Sequence, residues 1–444
     1  NAKLGVSLGG WSKSGDFTEV AADAGKRRNF VSNVMKFIKY TDMDYVDVDW
    51  EYPTNVRQPD LVDNKNDEGT PKAVPADKEN YLILMEELKA ALDKQGKELE
   101  KDYELTTAIH GSKEHLEQQT DVQRLFNIVD FANLMTYDFN GSWGEVTGHQ
   151  TALYTNPEDP TGYSIDSVVQ YLLEKDVSPD KIVVGTAYYS RGWDTAEIGN
   201  DRNLPGLFEE AKITNKDADE SPSRGANNEV DAVVGDFGRK GGVWSYRNLD
   251  ELKKSIPDLT EYWDDVAQAP YLYSESTKDF YTFDNVESVQ KKAEYVKEHQ
   301  LGGMIAWMAS QDKETDNKGI RDELAKASSE SLFENGELPK EEVANNLKVD
   351  VDVAIKLGTV DSGKNGFEFT LNNKEILEAY KGDALQLADR FYSTLKKPRL
   401  VITTVDNQPL IKGNSTAGNV TTKDGKTIVD LSSVYEGKLI QPGA

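Results

Sequence analysis

The stretch Tyr45–Pro53, YVDVDWEYP, decides the fold. Val, Trp and Tyr are strong strand formers, whereas acids are among the poorest. Even so, Asp47, Asp49 and Glu51 sit one residue apart along it. Successive strand side chains point to opposite faces, so Tyr45, Asp47, Asp49 and Glu51 share one face and Val46, Val48 and Trp50 the other. If the apolar face packs on helices, the acids point into an interior, with Glu51 nearest the C-terminal rim. Same-face neighbours stand roughly 7 Å apart, and ionised carboxylates at that spacing repel in a poorly solvated interior. Burial and like charge both raise a carboxyl pKa. A carboxyl still protonated near neutral pH is what a general acid requires.

Two other readings fit the same acids. One is a hard-cation site, which the arrangement disfavours: the acids run along one strand, and His110, His115, His149 and His299 are scattered. The other is an edge strand with a solvated acidic face.

Working outward, short apolar runs alternate with amphipathic segments. The runs at 3–10, 45–51, 104–110, 129–139, 181–189 and 302–310 read as strands, and 28–40, 78–99, 164–176 and 288–300 as helices. Near-continuous apolar strands alternating with helices indicate a parallel sheet, here an α/β chain of the TIM-type (β/α) barrel class. The rhythm breaks at 194–285, whose short aromatic strands and single helix read as an inserted α+β subdomain, with a loop at 215–230. The barrel domain is expected over 1–330, a linker over 331–343, and a β-rich accessory domain over 344–444, with a possible helix at 374–397.

The chain has 444 residues and a net charge of -27. That charge repels nucleic acid and anionic membrane surfaces, so neither is an expected partner. There is no cysteine, hence no disulfide or thiolate chemistry. No apolar run reaches the roughly 18 residues of a membrane span. No metal and no cofactor is expected.

The residues quoted so far resemble a known family. DYVDVDWE (44–51) is similar to the D-x-x-D-x-D-x-E motif of family 18 glycoside hydrolases, the chitinase family. In the family's order, SLGGW (7–11) before it and MTYDFNGSWG (135–144), GHQTALY (148–154), GTAYYSRGW (185–193) and GGMIAWMASQD (302–312) after it resemble other pieces of the family, so the likeness spans about residues 3–330. It implies that Glu51 protonates the glycosidic oxygen, Asp49 orients the substrate N-acetyl group, and Asp47 shares charge behind it. Tyr137 would bond the N-acetyl carbonyl, with Asp138 in support. Trp11, Trp143 and Trp307 would stack sugar rings, while Met135, Tyr189 and Arg191 line the cleft. Trp50 is expected in the core. The implied activity is hydrolysis of β-1,4 linkages in chitin or chito-oligosaccharides, with retention and without a protein nucleophile, by a secreted, extracellular, bacterial-type enzyme. The alternatives are a chitinase-like lectin, disfavoured by the presence of Glu51, and an endo-β-N-acetylglucosaminidase acting on N-glycans, disfavoured by the insertion.

Two departures from the family pattern stand out. Tyr45 replaces a glycine and would fill space below Asp47. The S-x-G-G strand is normally the third of eight, whereas six strands are read here. The expectation is a barrel lacking its first two strands, with an N-terminal fragment to complete it. The accessory domain lacks all seven tryptophans, which favours a spacer over a strong chitin grip.

Overall fold

The computed structural model describes residues 2–194, 196, 203–229, 238–315 and 319–333, and beyond these the strands at 352–359, 365–372, 399–402, 419–423 and 426–430. The chain divides into two compact units, 1–343 and 344–444.

The first unit alternates strand and helix: β1 (Gly5–Gly9), α1 (Phe17–Ala22), α2 (Ala24–Thr41), β2 (Tyr45–Asp49), α3 (Asp77–Leu99), β3 (Glu104–His110), α4 (Lys113–Gln119), α5 (Val122–Ile128), β4 (Phe131–Met135), α6 (Ile165–Glu174) and β5 (Ile182–Ala187). Next come β6 (Arg191–Trp193), β7 (Asn215–Lys216), β8 (Pro222–Ser223), α7 (Leu249–Ser255), β9 (Thr260–Asp264), β10 (Ala269–Tyr273) and β11 (Phe280–Thr282). The unit closes with α8 (Val286–Glu298), β12 (Gly303–Trp307) and α9 (Glu323–Leu332).

The helices start where their caps dictate. Asp23 accepts hydrogen bonds from the backbone of Gly25 and Lys26, each at 2.8 Å, at the head of α2. Ser164 with Ser167, and Asn285 with Ser288, form reciprocal capping boxes on α6 and α8. On α3, Tyr81, Leu82, Leu84, Met85, Leu88 and Leu92 are buried on the face turned to the sheet.

All six strands read from the sequence form one curled parallel sheet, in the order β1-β2-β3-β4-β5-β12. Its outer face, with Val46, Val48, Leu105, Ala132, Leu134, Ile182 and Val184, joins the helices in one apolar core. Trp50 belongs to that core: it is buried, stacked on Phe17 at 5.2 Å and edge-on to Tyr81 at 5.8 Å. The strand–helix alternation thus produces the expected fold, a partial (β/α) barrel with its acidic face inward. Among the described residues no strand pairs with the second side of β1 or of β12. Val6, Leu8, Met304 and Ile305 are accordingly only half-buried, whereas every residue of β5 is buried.

The insertion builds an antiparallel sheet, β6-β11-β10-β9, around Trp193, Leu207, Tyr271, Tyr273 and Phe280. Part of the segment read as a loop is instead the β7–β8 ladder, in which Asn215 pairs with Ser223 and Lys216 with Pro222. β9, TEYWD, escaped the sequence reading because it shows no apolar alternation: Thr260 and Glu261 are exposed and the acid Asp264 is buried. In the second unit, β13 (Asp352–Thr359) pairs antiparallel with β14 (Asn365–Asn372). β15 (Arg399–Ile402), β17 (Lys426–Asp430) and β16 (Asn419–Lys423) form a second antiparallel sheet. The helix expected at 374–397 lies outside the described residues.

One buried ion pair ties α8 to the rest of the first unit. Lys292 Nζ donates to Asp284 Oδ2 at 2.7 Å and Thr151 Oγ1 at 2.6 Å, and Asp284 also accepts from the Ala187 backbone at 3.0 Å. Removing one partner leaves the other charge buried and alone, so Lys292→Ala is expected to cost roughly 3–5 kcal/mol in urea melts. A loss below about 1 kcal/mol, the range of an exposed pair, would contradict this.

Candidate active site

The site begins at the register of β1, β2 and β3. Ser7, Asp47 and Thr106 are direct neighbours across the three strands. Ser7 Oγ and Thr106 Oγ1 each donate to the Asp47 carboxylate at 2.7 Å, with Asn133 Nδ2 at 3.5 Å. Burial still drives the Asp47 pKa up, against these three donors.

Asp49 stands one pleat higher, opposite Gly9. Gly9 has φ 108°, and a Cβ there would run into the Asp49 carbonyl. Gly10 N donates to that carbonyl at 2.7 Å. The double glycine therefore lets β1 close on β2. Asp49 Oδ1 is buried with no hydrogen-bond partner. Burial, then the Glu51 and Asp47 charges, push the Asp49 pKa far up.

Glu51 follows the strand end. Its backbone N–H donates to Ser14 Oγ at 2.9 Å, and Ser14 donates on to the Gly10 carbonyl at 2.8 Å. Burial raises the Glu51 pKa too; the Asp138 charge adds to this and the Arg57 charge opposes it. The sequence reading put a proton on Glu51 alone. Both carboxyls are raised by burial and Asp49 Oδ1 is unpartnered, so the proton belongs to the Asp49–Glu51 pair.

The opposite wall comes from the ends of β4 and β5. Tyr137 lies across Gly185, where a Cβ would come within 2.8 Å of its ring, and meets Tyr189 edge-on at 6.4 Å. Asp138, in the left-handed region at φ 55°, accepts Arg191 Nε at 2.8 Å, Arg191 Nη2 at 2.9 Å and Tyr189 Oη at 2.8 Å. Tyr189 and Arg191 therefore hold Asp138; Tyr189 is buried rather than displayed on a wall. Met135 ends β4 in register with His110. Trp11, Trp143 and Trp307 are 43%, 60% and 49% exposed, unusual for so large an apolar ring. Of the other tryptophans, Trp193 fills the insertion core, while Trp244 and Trp263 are half-buried.

Several neighbours went unread in the sequence. Ser14 carries no motif of its own. The Arg57 guanidinium lies 3.7 Å from the Trp11 ring centroid and forks onto Asp67 and the Trp11 carbonyl. His110 and His115 are not scattered: their rings stack at 3.9 Å, Ser112 Oγ contacts both, and His110 faces Tyr52 at 5.1 Å. Burial pushes His110 down to about 3, so it is neutral. Tyr45 has its own accommodation, for its ring lies over Gly5, its partner on β1, where any Cβ would strike it.

With this geometry in place, comparison with known proteins is direct. The model of the glycosyl hydrolases family 18 matches residues 1–312. Chitinase A1 of Niallia circulans is 32% identical over 332 residues, covering 73% of this chain and 42% of its own. Chitinase A of Pseudoalteromonas piscicida is 32% identical over 346 residues, covering 70% and 38%. Among solved structures, chitinase ChiA74 from Bacillus thuringiensis matches with a TM-score of 0.64 at 28% identity, over 83% of this chain and 55% of that one. A family 18 N-acetylglucosaminidase from Paenibacillus barengoltzii matches at 0.58 and 28%, over 74% and 81%. The chain belongs to glycoside hydrolase family 18. It spans about two-fifths of the length of the two bacterial chitinases.

The raised carboxyls have a consequence for stability. Asp49 binds its proton more tightly folded than unfolded. Its contribution is therefore fully present below the ordinary carboxylate range and is lost as pH rises through the raised folded-state value. Asp49→Asn should gain stability over the parent as pH climbs from about 4 through neutrality, read from urea melts at fixed ionic strength. A pH-independent difference would show that Asp49 titrates normally.

Proposed function

We propose that this chain hydrolyses β-1,4 linkages between N-acetylglucosamine units, as in chitin and chito-oligosaccharides, with retention and with the substrate as its own nucleophile. The observation that carries the reading is the Asp49–Glu51 pair: two half-buried carboxyls whose proton affinity burial raises, one with a buried oxygen that lacks a partner. Glu51 delivers its proton to the glycosidic oxygen as the bond to the anomeric carbon breaks. The N-acetyl carbonyl oxygen of the same sugar closes on that carbon, which makes a protein nucleophile unnecessary. The positive oxazolinium ring so formed rests against Asp49, whose free oxygen accepts the amide N–H. Tyr137 donates to the carbonyl from the other side. Water then opens the ring, and Glu51 takes its proton back.

Asp47 shares charge and proton with Asp49 from below, and the Arg191–Tyr189 clamp fixes Asp138. Trp11, Trp143 and Trp307 offer exposed faces to the C–H surfaces of sugars, and Met135 lines the floor. The relatives support a chitin-type substrate, several of them being chitinases by name. The insertion that walls the cleft favours a linear polymer over an N-glycan, and Glu51 favours cleavage over binding alone. No described helix is long and apolar enough to cross a membrane; an insoluble extracellular polymer as substrate favours secretion. The β-rich unit serves as a spacer or approach module.

Glu51→Gln keeps the shape of the site but removes the proton. Turnover of a chitotetraose-type substrate should fall by a factor of about 10² to 10⁴, the weight of general acid catalysis, with oligosaccharide binding retained. An unchanged rate would end the assignment. The half-buried apolar edges of β1 and β12 support a further partner, a two-strand N-terminal segment seated between them. A form of the protein carrying those strands should melt several degrees higher, each 1 kcal/mol being worth roughly 2–4 °C at this size. Equal melting would speak against that seat.

A further inference from the structure

β3 turns three residues toward the acids. Thr106 donates to Asp47, so it faces inward, and strand alternation turns Ala108 and His110 the same way. Across β2 and β3, Asp47 pairs with Thr106 and Val48 with Thr107. Continuing that register puts Ala108 beside Asp49 and His110 beside Glu51. Two contacts agree with it. The ring of Tyr52, the residue after Glu51, lies 5.1 Å from the His110 ring, and His110 pairs with Met135 on the other side. An imidazole therefore stands at the level of Glu51, between the ends of β2 and β4.

The chemistry of that imidazole is set from behind. The Ser112 backbone N–H, which can only donate, donates to His110 Nδ1 at 3.1 Å. Nδ1 must then present its lone pair, and the one proton of the neutral ring sits on Nε2. Burial keeps the ring neutral, and His115 covers one of its faces at 3.9 Å. In this form His110 adds no positive charge beside Glu51 and offers no free lone pair to take its proton. Nε2 has no partner among the described residues, yet His110 is only half-buried and this atom is not sealed from solvent.

We propose that His110 is a substrate-binding residue whose Nε2–H donates to a hydroxyl of the leaving sugar, the one that receives the proton of Glu51. The inference rests on the hydrolase reading above and adds a contact that selects a sugar as leaving group. The level of Asp49 belongs to the N-acetyl group of the sugar under attack, and there β3 offers only the methyl of Ala108. The level of Glu51, roughly 7 Å further along the strand, belongs to the bond that breaks and to the unit beyond it. There β3 offers an oriented N–H with no partner of its own. A site built to donate to a hydroxyl disfavours an analogue that lacks one. Since Nε2 reaches solvent, the preference is that of a single neutral hydrogen bond.

His110→Phe keeps a ring against His115 and removes the N–H, whereas His110→Gln keeps an N–H; melting temperature is the fold control for both. Two substrates separate the leaving sugar from general damage. The N-acetylglucosamine tetramer expels a sugar, and the 4-nitrophenyl glycoside of the disaccharide expels a phenol without sugar hydroxyls. His110→Phe should lower kcat/KM on the tetramer about three- to tenfold and leave nitrophenol release within about twofold of the parent. His110→Gln should recover most of the loss. Equal losses on the two substrates, or a parental tetramer rate in folded His110→Phe, would overturn the contact. A parent that cleaves neither substrate would overturn the hydrolase reading alone, because tetramer affinity in a Glu51→Gln background still reports on His110. Added there, His110→Phe should weaken binding several-fold, and unchanged affinity would overturn the contact.

Discussion

Three carboxylates on the inner face of one strand, one buried and two half-buried, set the terms for everything around them. β2 cannot turn them outward: a one-residue slip would expose Val46, Val48 and Trp50 and break the core against α3. The surroundings therefore have to absorb the charge. Asp47 is met by donors from β1, β3 and β4, and Asp49 by almost none. A buried acceptor without a partner is rare in folded proteins, and it concentrates where chemistry needs it. The asymmetry between the two aspartates separates a structural carboxylate from a reactive one.

The cations nearest this cluster are each already engaged. Arg57 is forked onto Asp67 and Arg191 onto Asp138. A free guanidinium beside Glu51 would favour its ionised form and strip the proton that an acid catalyst needs. Paired as they are, the two arginines orient neighbouring groups with a weakened pull on the acids. The same pairing lets Arg57 lie flat on Trp11 and Arg191 approach Trp143 at 5.3 Å. The electrostatics of the acids and the placement of the sugar platforms are thus parts of one arrangement.

The sequence made the sheet legible because its strands are apolar runs between amphipathic helices, a contrast that survives without any contact information. It made the acids legible because charge on a strong strand former is anomalous by itself. The partners of those residues were hidden for the opposite reason. Ser14, Arg57 and Asp67 look like ordinary loop polar residues, and only folding brings them beside Glu51 and Trp11. Tyr45 looked like a liability, since its compensation, Gly5, lies on another strand. His110 and His115 looked scattered because the turn that stacks them, through Ser112, has no periodicity to read. The β7–β8 ladder was missed because two-residue strands leave no alternation, and Arg239 gives no sign of reaching Asp60.

β1 is both an edge strand and a wall of the site, and the two roles are coupled. It supplies Ser7 to Asp47, the double glycine that closes on Asp49, and the loop carrying Trp11 and Ser14. Edge strands with half-buried apolar residues open more readily than interior ones. Each opening of β1 would wet Asp47 and Asp49 together, lowering their proton affinity and leaving more negative charge beside Glu51. Whatever covers the second side of β1 therefore acts on the acids without touching them. Arg57, forked onto Asp67 and the Trp11 carbonyl, works in the same direction, since it anchors Trp11 and with it the end of β1. Order at this edge should accordingly govern protonation of the site as directly as any residue within it.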